Sequence, residues 1–227
     1  MERHFDELLA DLKSQLTRMS ALAETMIADA TGILAMRNAD VVATIRKHED
    51  QVNRKQVEID ELCLTLIALH QPTAGDLRFI LGAAKTNSDL ERLADQAVNI
   101  SDKAVRLLEE PQLKECDKIP RMAAIAREML KDSLHAFVNR DVEKAKRVLA
   151  RDDEVDALKA ETTRELLGFM QKDPSTIRRA MDLILIARNI ERIGDHATNI
   201  AENTIFVAEG RDVRHNIAAK LGPEDRK

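Results

Sequence analysis

At 227 residues with a net charge of −5, the chain is 44% hydrophobic, 33% charged and 2% aromatic, the makeup of long amphipathic helices. The acidic balance, and five Phe with no basic cluster beside them, argue against a nucleic-acid partner. No apolar run approaches the roughly 18 residues of a membrane span, and the opening MERHFDELLADLK is charged and amphipathic, unlike a signal peptide, so a cytoplasmic location is expected.

Gly and Pro fall where helical periodicity breaks, and six helices follow from that punctuation. The first runs from about Arg3 to Met36. Asn38-Ala39-Asp40 makes a turn and caps a second helix to about His70, patterned by Ile45, Val52, Ile59 and Leu66, with Leu62 and Leu69 broadening the stripe. Gln71-Pro72-Thr73 interrupts before a third helix that runs to about Glu110, where Pro111 stops it. The polar stretch from Pro111 to Lys118 reads as a linker, with Pro120 in the first turn of a fourth helix to about Asn139. Asp141 caps a fifth to about Gln171, and Asp173-Pro174 starts a sixth. Cys63, in an apolar helical context, and Cys116, in the linker, are too far apart in kind and spacing to suggest a disulfide framework or a thiolate metal site.

The third and sixth helices say one thing twice: Asp89 to Ile100 reads DLERLADQAVNI and Asn189 to Ile200 reads NIERIGDHATNI, at a constant offset of 100. An internal repeat on this scale means one structural unit used twice. The seams Leu90, Leu93, Ala97, Ile100, Ala104, Leu107 and Ile190, Ile193, Ala197, Ile200 step by threes and fours, as in a helical bundle. Short connections make successive helices antiparallel. The expected fold is therefore all-α, two similar three-helix bundles over residues 1–112 and 113–210, with a weakly ordered tail over 211–227.

The chemistry lies in carboxylates. Glu91, Asp95, Asn99 and Asp102 fall within about 80° on the third helix and point away from its seam; Glu191, Asp195, Asn199 and Glu202 repeat the arrangement on the sixth. Most such faces are simply solvated. Here Glu91 has no cation at the three- and four-residue spacings, and Glu91 with Asp95 is a like-charge pair that at ~6 Å costs roughly 0.7 to 3 kcal/mol, depending on the effective dielectric. Helix two adds Glu49 and Asn53, and helix five adds Asp152 and Asp156, at corresponding places in the two halves. Oxygen donors in this pattern suit hard cations, iron first among them, with manganese, magnesium, calcium and zinc open, and bridging carboxylates can hold more than one ion. The expected metal residues are therefore Glu49, Asn53, Glu91, Asp95, Asp102, Asp152, Asp156, Glu191, Asp195 and Glu202. His196 stands beside them as a lone candidate for an extra ligand or proton carrier, against the commoner reading of a surface histidine; His48 is given no role. There is no Glu-x-x-His pair, Gly-rich phosphate loop or His-Glu-x-x-His, so no catalytic residue is assigned, although a carboxylate-bridged metalloenzyme and a purely structural helical module stay open.

Gln71-Pro72-Thr73-Ala74-Gly75-Asp76-Leu77-Arg78, Asp89-Leu90-Glu91-Arg92-Leu93-Ala94-Asp95, Asp152-Asp153-Glu154-Val155-Asp156 and Ile190-Glu191-Arg192-Ile193-Gly194-Asp195 resemble the PhoU family. The resemblance spans almost the whole chain. It implies paired three-helix bundles carrying multinuclear metal clusters, the first on Glu49, Glu91 and Asp95, the second on Asp152, Asp156, Glu191 and Asp195; Asn53 departs from the acidic pattern and leaves the first site a charge poorer. It further implies a non-enzymatic negative regulator of the phosphate-starvation response and of phosphate uptake. The implied partners are the ATPase of the phosphate ABC transporter and the membrane-bound sensor histidine kinase, so the membrane is met only through them. Homodimerisation is left open.

Overall fold

The computed structural model describes residues 2–113 and 118–214. Six helices and no strand occur among them: α1 (Glu2–Met36), α2 (Val42–His70), α3 (Ala74–Leu108), α4 (Lys118–Asn139), α5 (Val142–Lys172) and α6 (Ile177–Glu209), the last entered through a 3₁₀ turn at Pro174–Thr176.

The helix ends follow from local chemistry. Asp141 caps α5 by accepting the Lys144 amide at 2.9 Å, and Asp173 accepts the Ser175 amide at 3.0 Å ahead of Pro174. Asp40 does not cap α2. Its amide instead donates to Asn38 Oδ1 at 2.8 Å, which closes the turn, and α2 begins two residues later without a side-chain cap. Three turns put a non-glycine residue in the left-handed region, Arg37 at φ 48°, Gln71 at 45° and Arg140 at 54°. Each costs roughly 1–2 kcal/mol, and two of the side chains brace other elements. Arg37 donates to the carbonyls of Leu108 and Glu110 at 2.9 and 3.0 Å. Arg140 lies over the Phe79 ring and 3.5 Å from Asp76.

The periodic seams become the core. Ile45, Val52, Ile59 and Leu66 are buried on α2, but Leu69 is 72% exposed, because at about 100° per residue it stands off the face those four share. On α1, Leu12, Leu16, Met19, Ala23, Met26, Ile27, Ala30 and Ile33 are wholly buried. Contrary to the sequence-based expectation, His4–Met36 is long and apolar enough, by length and composition, to cross a membrane. Those eight side chains pack into the bundle, which makes α1 a core helix here.

Each half is a three-helix bundle, α1 with α2 and α3, and α4 with α5 and α6. The halves are not separate lobes, since α3 packs on α6, the most extensive helix contact in the molecule, and α1 packs on α4. α1, α3, α6 and α4 thus enclose one continuous core, with α2 and α5 on the outside. That arrangement explains why α3 and α6 bury far more than one seam: Gly82, Thr86, Ala94, Ser101, Ala187 and Gly194 are also buried. A Cβ on Gly82 would stand 2.6 Å from Val207 and 3.1 Å from the Phe137 ring, so glycine is what lets α3 approach α4 and α6 this closely.

Two polar contacts bolt the halves together. Arg106 of α3 pairs with Asp182 of α6, which is 93% buried as the 7% residual exposure shows. Asp89 of α3 lies 2.9 Å from His196 Nδ1 and accepts from Asn199 Nδ2 at 3.2 Å. At the repeat-related positions the pair is Asn189 and Gln96, whose Nδ2 and Oε1 are buried without a hydrogen-bond partner.

Of the tail expected over 211–227, residues 211–214 are described. Gly210, at φ 68°, ends α6 and reverses the chain, and Val213 returns to full burial. The residues beyond 214, and Cys116 at 116, lie outside the described residues. Cys63 is a buried thiol that burial, with help from the Asp60 charge, pushes up to about 12.

A candidate metal-binding surface

The duplicated carboxylates are positioned by the helices just described, and the structure separates them into three groups.

The second-half set is the most closely associated. Gly194 keeps α6 free of a side chain facing α5, and a Cβ there would stand 3.3 Å from Asp152 Oδ1, so the Asp152 carboxylate can approach the α6 backbone. Asp156, one turn on, faces the same groove as Lys159 and Glu191. The Asp195 pKa is raised above the ordinary aspartate range by desolvation where α5 and α6 pack, then by the charges of Glu191 and Asp156; His196 and Lys159 oppose the shift. Glu191 is held by Lys159 at 3.0 Å, a cross-helix cation that spacing within α6 could not reveal.

The first-half set is looser. Glu91, half-buried on α3, also has a raised pKa, from burial first and the Asp95 charge second, with Arg92 and His196 opposing. Glu49 and Asp102 do not face Glu91 as free ligands: Arg46 bridges them, at 3.3 and 2.7 Å. Asn53 is exposed and uncharged.

Glu202 belongs to neither. It is 7% exposed and not on the outer stripe, because the reversal at Gly210 brings Arg214 to it and the two charges interact. It lines a cleft between α3 and α6 with Lys85, Arg92, Asp195, Asn199 and Arg214. His196 is likewise turned inward, engaged with Asp89, and is neither a free ligand nor an ordinary surface histidine.

A metal of the kind the carboxylates suggest can be tested against these residues. Among the described residues, no three His, Cys, Asp or Glu side chains converge as a ready cage for one ion. The donor chemistry nevertheless fits in the second half, where desolvation and then the Glu191 and Asp156 carboxylates raise the pKa of Asp195, and Lys159 is the cation paired with Glu191. Asp152, Asp156, Glu191 and Asp195 are the residues that would hold an ion there. The first half fits less well, since Arg46 already neutralises Glu49 and Asp102 and position 53 carries no charge.

The relatives agree with this architecture. The family model described as PhoU domain matches twice, over residues 16–104 and 119–204. A phosphate-specific transport system accessory protein PhoU homolog from Aquifex aeolicus is 42% identical over 214 residues, covering 94% of this chain and 97% of that one. The protein of the same description from Pseudomonas aeruginosa is 35% identical, covering 95% and 89%. The crystal structure of PhoU from Pseudomonas aeruginosa superposes with a TM-score of 0.88 at 34% identity, covering 91% of this chain and all (100%) of that one. That of the phosphate transport system regulatory protein PhoU from Streptococcus pneumoniae gives 0.85 at 28%, covering 92% and 99%. With both halves matched and the whole six-helix architecture shared, the chain belongs to the PhoU family.

Proposed function

We propose that this chain is a non-catalytic regulator attached to a high-affinity phosphate transport system, which restrains phosphate uptake and holds the phosphate-starvation response off when phosphate is plentiful. The observation that carries the reading is the paired family match over 16–104 and 119–204, with relatives described as accessory and regulatory proteins of phosphate transport. In this reading the chain works in the cytoplasm as an adaptor between the transporter's ATPase subunit and a membrane-bound sensor histidine kinase, favouring the kinase's inactive or phosphatase state. Long helices with exposed outer faces on α2 and α5 suit helix-on-helix docking.

The carboxylate surface would supply a metal-dependent element of that adaptor. Asp152, Asp156, Glu191 and Asp195 would hold an ion in the stronger site and Glu91 with Asp95 in the weaker, and Lys159, paired with Glu191, would compete with it. A hard cation bound there would neutralise clustered negative charge and tie α5 to α6.

Deletion of the gene tests the regulatory reading. Phosphate-responsive genes should stay on in high phosphate and be silenced again when this chain is restored; normal silencing in the deletion strain would overturn it. Repeating the restoration with the Glu91→Ala/Glu191→Ala double variant tells whether the metal surface takes part. Loss of silencing by a folded variant supports that, and full silencing removes the metal from the mechanism.

A further inference from the structure

We propose that the pocket between the end of α1 and the start of α6 binds a small aromatic monocarboxylate, its ring against the apolar walls and its carboxylate on Arg37 and Arg179.

The repeat shows why a pocket lies here. α3 maps on α6 at an offset of 100, which sets Phe79 against Arg179. α1 maps on α4 at an offset of 103, on which Met19, Ala23 and Met26 fall on Met122, Ala126 and Met129, so that Leu34 corresponds to Phe137 and Arg37 to Arg140. Where α4 ends beside the start of α3, the Phe79 and Phe137 rings stack at 5.2 Å, both wholly buried, and the Arg140 guanidinium lies 5.4 Å over Phe79. At the equivalent place in the other half of the molecule, Leu34 and Arg179 occupy the two phenylalanine positions. They border a pocket of about 290 Å³ whose walls include the buried Leu107, Leu113, Ile119 and Leu183. An apolar space of this size with a few convergent polar groups is what a small ligand needs.

The polar groups at its rim are donors. Arg37 serves the carbonyls of Leu108 and Glu110 through Nη2 alone, and among the described residues it has no carboxylate partner. Arg179 donates through Nη1 to the Pro111 carbonyl at 2.9 Å. Its Nε, 3.4 Å from Glu110, makes an ion pair without a hydrogen bond, and that buried N–H lacks an acceptor. Arg178 also approaches Glu110, at 3.7 Å, so three guanidinium groups stand against one carboxylate. That balance favours an anion, and a carboxylate can accept from Arg37 and Arg179 together.

The aromatic part follows from the filled end. Two rings occupy the equivalent space there, and Arg37 is the counterpart of the guanidinium that covers one of them. A bound ring under Arg37 would reproduce with a ligand the packing that Phe79 supplies from within the chain. The walls come from α1 and α3 of the first half and from α4 and α6 of the second, so the occupant touches both halves.

Titration of the full chain with 2-naphthoate, in chelator so that no metal holds the carboxylate, tests the site by ligand fluorescence, against a protein with no Trp or Tyr. Wild type should bind one equivalent, with a dissociation constant on the order of 100 μM for so small a ligand. R37Q should weaken binding about tenfold, and naphthalene-2-carboxamide, which lacks the charge, should bind wild type about tenfold more weakly than 2-naphthoate. L34F returns one ring of the filled end and should weaken binding about tenfold or more by occupying the space, with a Tm no lower than that of wild type. No saturable binding to wild type, R37Q or a folded L34F protein binding as wild type does, a carboxamide as tight as the acid, or octanoate tighter than 2-naphthoate would each overturn the proposal.

Discussion

Asp195 and Glu91 carry the tension of the carboxylate surface in single side chains. Both hold their proton more tightly in the folded protein than in the unfolded chain, through burial and then neighbouring carboxylates. The folded state therefore binds more protons between the ordinary carboxylate pKa and the raised one. Stability from these two groups is greatest below the ordinary value, falls as pH rises through that window, and stays reduced above it. Asp195→Asn and Glu91→Gln should thus stabilise the metal-free protein at neutral pH, by on the order of 0.5 kcal/mol each, the scale of like-charge relief on a helix. Thermal melts in chelator measure it: the gain should shrink toward acid, and a lower Tm for the amides at neutral pH would contradict the assignment. Gly82→Ala should act oppositely, costing about 1–3 kcal/mol through overpacking against Val207 and Phe137, while Gly75→Ala, with open space around it, should not destabilise. Equal melting temperatures for the two alanine variants would show that the helices can part without cost. The carboxylates were legible because they recur at a fixed offset. The role of Gly82 was not, because the atoms that require it come from α4 and the end of α6.

Single helices were read well wherever the signal was local. Asp141 and Asp173 cap as their positions suggest, whereas Asp40 spends its backbone amide on Asn38 and leaves α2 uncapped. Cross-helix partners were out of reach of any spacing rule. Lys159 lies on α5 and meets Glu191 on α6, and Arg46 gathers Glu49 with Asp102 from two helices. The same blindness placed Glu202 on the solvent face, since its burial depends on a chain reversal at Gly210 after the helix ends. Lys159 gives the element-scale prediction. If an ion displaces its ammonium from Glu191, then Lys159→Gln removes a competitor and should tighten metal retention by the second half roughly tenfold, the effect of about 1.4 kcal/mol. Competition against a chelator of known affinity reads it out, and weaker retention in the variant would mean that the lysine helps to build the site.

At the scale of the molecule, the repeat announced two bundles but not how they meet. The small residues of α3 and α6 lie in patterns that also fit a solvent-facing helix, and the joint became visible only as Gly82, Ala94, Ala187 and Gly194 were found buried. One continuous core makes the halves a single cooperative unit, so thermal unfolding should show one transition. Arg106→Ala would leave Asp182 without its cation across the joint and, with the arginine half exposed, should cost about 1–2 kcal/mol. In a chain of this length that lowers Tm by roughly 2–8 °C. A resolved second transition in the wild type, or an unchanged Tm in the variant, would show that the halves unfold independently.

The most direct test of the metal-dependent regulator is elemental analysis of untagged protein purified without chelator, beside the Glu91→Ala/Glu191→Ala double variant. The account predicts metal in the wild type, held mainly by the second half, and its loss from a variant with unchanged helical circular dichroism. No metal in either protein, even after reloading, would contradict it and leave the duplicated carboxylates as a solvated or partner-binding surface.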